Sequence, residues 1–182
     1  MRIYFITSNV HKFREVRDIA EPYGAHIIQV RMEYPEVRAD TCKEVVENAI
    51  HSLKRMKGLK RPFIVEDSGL FIDALNGFPG PYSKWAYNKI GLDGVLALLK
   101  GAKKRDAHFM CAIGYYDGKE PLVFTGSVDG TIATRIRGES GFAYDPLFIP
   151  KGYKFTFAEN MTLKSTLSHR ARAVELMLKS II

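Results

Sequence analysis

Residues 2–32 read RIYFITSNVHKFREVRDIAEPYGAHIIQVRM. Arg2 to Ile6 is a short apolar run rich in β-formers, and Thr7 to His11 is polar. Phe13, Val16, Ile19 and Ala20 then recur at helical spacing until Pro22 and Gly24 stop the pattern, and Ala25 to Met32 reads as a second strand. Strand, polar loop, helix and strand in that order are the opening unit of an α/β fold.

The rest of the chain extends that unit. Beyond a loop holding Glu33, Pro35 and Glu36, Thr41 with Glu44 is a capping-box signature. Val45, Val46, Ala49, Ile50, Leu53 and Met56 form the apolar face of the helix that follows, and Gly58 ends it. Pro62 to Val65 reads as a buried strand running straight into Glu66-Asp67-Ser68-Gly69, and Leu70 to Leu75 follows. Asn76 to Pro81 is a turn-rich loop, and Leu92 to Leu99 predicts a helix. Ala107 to Tyr116 and Leu122 to Ala133 flank Asp117-Gly118 as an antiparallel hairpin. Gly138 to Asp145 is a loop ahead of a final helix from about Ser168, with Ala171, Val174, Leu178 and Ile181 on one face. No repeat, low-complexity tract or linker divides residues 1–182, which read as one α/β domain with a partly antiparallel sheet. A cleft between two lobes is the natural ligand site.

Composition narrows the function classes less than the motifs do. Lys and Arg number 27 against 20 Asp and Glu, a net charge of +7 that admits nucleic acid, acidic lipid or polyphosphate partners and selects none. No RRM, KH, zinc-finger or helix-turn-helix signature is present, which argues against a basic nucleic-acid-binding module. Cys42 and Cys111 have neither zinc-ligand spacing nor the pattern of a disulfide framework, which fits a reducing cytoplasm. The apolar start is too short for a signal peptide, and no segment approaches the roughly 20 apolar residues of a membrane span.

Five segments could carry chemistry. Thr7, Ser8, Asn9, Val10, His11 and Lys12 lie between a strand and a helix start, where backbone N–H groups, small side chains and a lysine suit a phosphate; the same residues also suit a plain helix cap. A carboxylate of Glu66-Asp67-Ser68-Gly69 could hold Mg²⁺ or act as a base toward water, with Glu36 or Asp40 as second carboxylate, or Asp67 and Ser68 could form a strand-ending Asx turn. Phe142, Ala143, Tyr144 and Asp145 offer aromatic faces and an acceptor to a planar base, or plug the core. Lys164, His169 and Arg170 surround the start of the last helix, where cations oppose the helix dipole. Lys84 could reach a phosphate or stack on Trp85.

Taken in order, Thr7-Ser8-Asn9-x-x-Lys12 with Glu15, Val65 to Leu70, Gly77-Phe78-Pro79-Gly80-Pro81-Tyr82-Ser83, Gly141 to Pro146 and Ser168-His169-Arg170 resemble the inosine/xanthosine triphosphate pyrophosphatase family, across nearly the whole chain. Tyr82-Ser83-Lys84-Trp85 is similar to its archaeal and eukaryotic branch. The resemblance implies an elongated two-lobed α/β fold with a central mixed sheet flanked by helices, in a cytoplasmic homodimer. It implies Mg²⁺-dependent hydrolysis of ITP, dITP and XTP to the monophosphate and pyrophosphate, clearing deaminated purines. A pyrophosphatase for modified pyrimidine or methylated nucleotides is the rival within the same chemistry.

Carried onto this sequence, the resemblance gives Thr7 to Lys12 the triphosphate. It makes Asp67 metal ligand and proton acceptor with Ser68 beside it, and Glu36 the other metal ligand. Lys84 and Lys164 would bind phosphate or ribose, Phe142 to Asp145 would frame the base, and His169 with Arg170 would address its 6-oxo edge. The family usually has glycine where Ala143 stands, and alanine disfavours positive φ, so the loop is expected to differ there. Four cations against three carboxylates leave this residue set at +1.

Overall fold

The computed structural model describes residues 1–35 and 37–182. Its strands are β1 (Arg2–Ile6), β2 (His26–Val30), β3 (Phe63–Ile72), β4 (Pro79–Gly80), β5 (Asp106–Tyr116), β6 (Leu122–Ile132) and β7 (Phe148–Pro150); its helices are α1 (Val10–Ala20), α2 (Cys42–Leu53), α3 (Ser83–Leu98), α4 (Met161–Leu167) and α5 (His169–Ile181). The strands form one sheet in the order β2-β1-β3-β5-β6-β7, with β4 paired to β3. β1 runs parallel to β2 and β3, and the remaining pairings are antiparallel.

Local chemistry accounts for the boundaries. The Asn9 side chain caps α1 by accepting from the His11 and Lys12 N–H groups, and a 3₁₀ turn over Glu21–Tyr23 closes on Gly24 at φ 69°. The Thr41–Glu44 capping box starts α2. That helix stops at Leu53, short of the expected Gly58, and Met56 is exposed. The helix expected from Leu92 begins at Ser83 and is broken at Gly91, whose φ of 60° and ψ of −165° only glycine adopts readily. Gly69 has a packing role instead: a Cβ there would lie 2.1 Å from the Gly80 carbonyl oxygen, so a side chain would push β4 off β3.

Three apolar clusters flank the sheet, and the long strands pass between them. Ile64 of β3 and Cys111 and Ile113 of β5 pack with α1 and α5; Phe63, Val65 and Ala112 pack on the opposite face with α2. Farther along the same strands, Leu70, Ile72, Ala107 and Phe109 join a third cluster with Val95, Tyr144, Phe148 and Phe157. Glu66 to Gly69 occupy the stretch of β3 where one pair of cores gives way to the next.

Candidate active site

Glu66-Asp67-Ser68-Gly69 does not end a strand. All four residues pair in register with β5, Glu66 opposite Ile113 and Gly69 opposite Met110, so the Asx turn is not formed and the strand continues to Ile72. Side chains on a strand alternate faces. Glu66 and Ser68 therefore project toward α1 and α5, while Asp67 projects to the α2 side, where Cys42 contacts it. A cleft of about 780 Å³ opens over this stretch and is lined by Thr7, Ser8, Asn9, His11, Lys12, Asp67, Ser68, Lys84, Phe142 to Asp145, Lys164, His169 and Arg170. Val10 and Asp40 are not among its lining residues, whereas Glu33 is. Glu36 lies outside the described residues.

Beneath the cleft runs a chain of alternating charges. Lys164 donates to Asp145 at 2.7 Å and to Glu15 at 2.5 Å; Arg170 donates to the other oxygen of Glu15 and, through Nη2 and Nε, to Glu66 Oε1 at 3.0 and 3.2 Å; Lys12 pairs with Glu66 Oε2 at 2.7 Å. Arg170 Nη2 also donates to Ser68 Oγ, and the Cys111 thiol donates to Glu66 Oε1. Burial alone would raise the carboxyl groups of Glu15 and Glu66, but Arg170 with Lys164 holds the first below its ordinary range, and Arg170 with Lys12 holds the second far below it. At Asp145 burial wins, and its carboxyl is pushed up despite Lys164. Burial works against the charge of Lys12, yet Glu66 and Asp67 outweigh it and raise its pKa.

Three cations meet three carboxylates in this chain; in the sequence Glu15 and Glu66 stand within motifs, with nothing there to mark them as ion-pair partners. Arg170, assigned there to a 6-oxo edge, has all three guanidinium nitrogens engaged by Glu15, Glu66 and Ser68. His169 differs. Burial, reinforced by Arg170, drives its pKa well down, so the imidazole is neutral at neutral pH, stacked on Phe109 at 4.7 Å. Its Nδ1 is buried and makes no hydrogen bond among the described residues.

The α1 terminus is capped, and the cap does not use every N–H group there. Asn9 Oδ1 takes the His11 and Lys12 N–H groups, and Thr7 N–H is spent on Val30, which leaves the Ser8 and Val10 N–H groups without a partner among the described residues. Facing it, the 141–145 loop is pinned: Phe142 N–H donates to Asp145 Oδ2 at 2.8 Å, and Tyr144 donates to the Ser83 carbonyl at 2.8 Å. Ala143 sits at φ 53°, a left-handed conformation that alanine disfavours and glycine adopts readily.

The Ham1 family model matches residues 3–180. A dITP/XTP pyrophosphatase from Thermococcus kodakarensis is 50% identical, covering 96% of this chain and 94% of that protein. A dITP/XTP pyrophosphatase from Pyrococcus horikoshii is 46% identical, covering 96% and 94%. Among solved structures, the Staphylococcus aureus Ham1 protein superposes with a TM-score of 0.83 at 28% identity, covering 100% of this chain and 98% of its own.

Proposed function

This chain belongs to the Ham1 family, and on that premise we propose that it hydrolyses ITP, dITP and XTP to the nucleoside monophosphate and pyrophosphate. The observation that carries the reading is the convergence on one cleft of a helix N-terminus, the Asp67 carboxylate and an aromatic loop pinned at its base. These are the parts that a triphosphate, an attacking water and a purine each require.

The reading includes a divalent cation, Mg²⁺. Among the described residues no three His, Cys, Asp or Glu side chains group to cage a metal. Mg²⁺ needs no such cage, because one or two carboxylates with substrate phosphates and waters suffice. Asp67 supplies a hard oxygen donor at the cleft, which fits, and Glu36 is the proposed second ligand. When bound, the cation supplies charge neutralisation for the polyphosphate. Asp67 accepts the proton of the water that adds to the α-phosphorus; the bond from that phosphorus to the bridging oxygen breaks, and pyrophosphate leaves. Ser8, Lys12 and Lys84 hold the phosphates, and Lys164 is fixed under the base-side loop. Phe142 offers its ring to the base. His169, neutral at the cleft, is the 6-oxo reader, and Arg170 positions the carboxylates and Ser68. A purine with a 6-amino group leaves that donor unpaired, a mismatch able to give discrimination of about 10⁴. We propose a homodimer in the cytoplasm; exposed Tyr82 and Trp85 beside the cleft offer apolar surface to a second copy, and no helix among the described residues is long and apolar enough to cross a membrane.

A nucleotide panel with product identification tests the reading. The expected outcome is pyrophosphate release from ITP and XTP far faster than from ATP, GTP or modified pyrimidine nucleotides, abolished by chelation of divalent cations. Orthophosphate as product, or equal rates across the panel, refutes it.

A further inference from the structure

His11 and Phe142 stand 131 positions apart in the chain, yet their rings stack across the cleft with centroids 5.2 Å apart and planes 21° from parallel. Phe142 is held from several sides. Its N–H donates to Asp145, the next residue turns through a left-handed φ, and Lys164 Nζ lies 4.4 Å from its ring centroid. His11 is exposed and its ring makes no hydrogen bond among the described residues; only its backbone is tied, to Asn9. Of the two rings, His11 is the one free to move.

Stacked rings need about 3.5 Å per layer, so a planar base between His11 and Phe142 would require them about 7 Å apart. At 5.2 Å between centroids three layers do not fit. We propose that His11 is an intramolecular competitor for the ring of Phe142, covering the face on which a purine stacks and setting the affinity of the cleft for its base. The inference rests on Phe142 framing the base, as in the proposed function. It gives His11 a role opposite to phosphate capture: its side chain works against nucleotide binding, while its backbone keeps the helix cap.

The test measures dissociation constants of IMP, ITP and inorganic tripolyphosphate by calorimetry, for the unaltered chain and for His11→Ala and His11→Phe. An aromatic contact of this kind is worth about three- to tenfold in affinity. His11→Ala is expected to bind IMP and ITP tighter by that factor, His11→Phe weaker, and tripolyphosphate alike in all three. Unchanged or weaker binding of IMP and ITP by His11→Ala overturns the proposal, as does an equal shift for tripolyphosphate, which would mean that His11 meets the phosphates. If the unaltered chain binds neither IMP nor ITP, the functional reading itself fails, an outcome distinct from a variant without effect.

Discussion

Glu15 joins Lys164 to Arg170, and replacing it with glutamine tests whether the alternating charges hold the structure together. The carboxylate accepts from Lys164 at 2.5 Å and from Arg170, with about a quarter of its side chain, 23%, exposed. Breaking a buried ion pair by removing one partner costs about 3–5 kcal/mol. Four features lower that figure here. Glu15 is partly solvated, Lys164 keeps Asp145, and Arg170 keeps Glu66, while glutamine retains a carbonyl oxygen to accept one donor. About 2 kcal/mol remains. For a chain of this size each kcal/mol moves the melting temperature by about 2–4 °C, so Glu15→Gln should melt about 4–8 °C lower at neutral pH.

The pH dependence gives a second reading of the same group. Arg170 and Lys164 hold the Glu15 carboxyl below its ordinary value of 4.5. A carboxyl with a depressed folded-state pKa contributes stability that is fully present above the unfolded value and is lost as pH falls through the folded one. The gap in melting temperature between the two proteins should therefore hold steady from pH 7 to 5 and close only below about 4.5. Differential scanning calorimetry over that range is the assay. A loss under about 1 °C at pH 7, or a gap already closing between pH 7 and 5, refutes the argument.

Two further substitutions separate chemistry from packing. Asp67→Asn should lower the ITP turnover rate by about 10²-fold or more, with the melting temperature held within about 2 °C; retained turnover would remove Asp67 from the proposed chemistry. Gly69→Ala should destabilise by about 2 kcal/mol or more, because the added Cβ meets the Gly80 carbonyl at 2.1 Å and both sides of the clash are backbone; an unshifted melting curve would mean that β4 gives way without cost.

Elements with a strong local signal were legible in the sequence. The periodic apolar residues of α1 and α5, the Thr41–Glu44 box of α2 and the Asp117-Gly118 hairpin each appear where the pattern put them. The first half of α3 was not, since Ser83, Ala86 and Val95 are its only buried residues and no apolar period runs through them. Reading Glu66 to Gly69 as a strand end failed for a different reason. Polar residues normally stop a strand, but here Arg170 and Lys12 satisfy Glu66 inside the sheet. Those partners lie far off in sequence, Lys164 and Arg170 being 149 and 155 positions from Glu15 and Arg170 being 104 from Glu66. No spacing rule reaches across such distances.

The charge of +7 illustrates the same limit at the level of function. Arg105 donates to the carbonyls of Leu99, Ile132 and Ala133, and Lys60 and Arg61 lie over the rings of Tyr4 and Tyr116, so part of the cationic excess serves the scaffold. At the cleft, Lys12, Lys84, Lys164 and Arg170 face Glu15, Glu33, Glu66, Asp67 and Asp145: four cations against five carboxylates among the described residues. The +1 counted from sequence becomes −1 once Glu15, Glu33 and Glu66 are included and Glu36 is left aside. A polyphosphate entering such a site meets cations already offset by carboxylates, Lys12 being paired with Glu66, and the Ser8 N–H group adds only fractional charge. On the proposed function the balancing charge must arrive with the substrate, as the divalent cation bound to its phosphates. On that proposal, dependence on the cation would follow from the buried ion chain as much as from the Asp67 carboxylate, and the chelation arm of the nucleotide panel tests the electrostatics and the chemistry together.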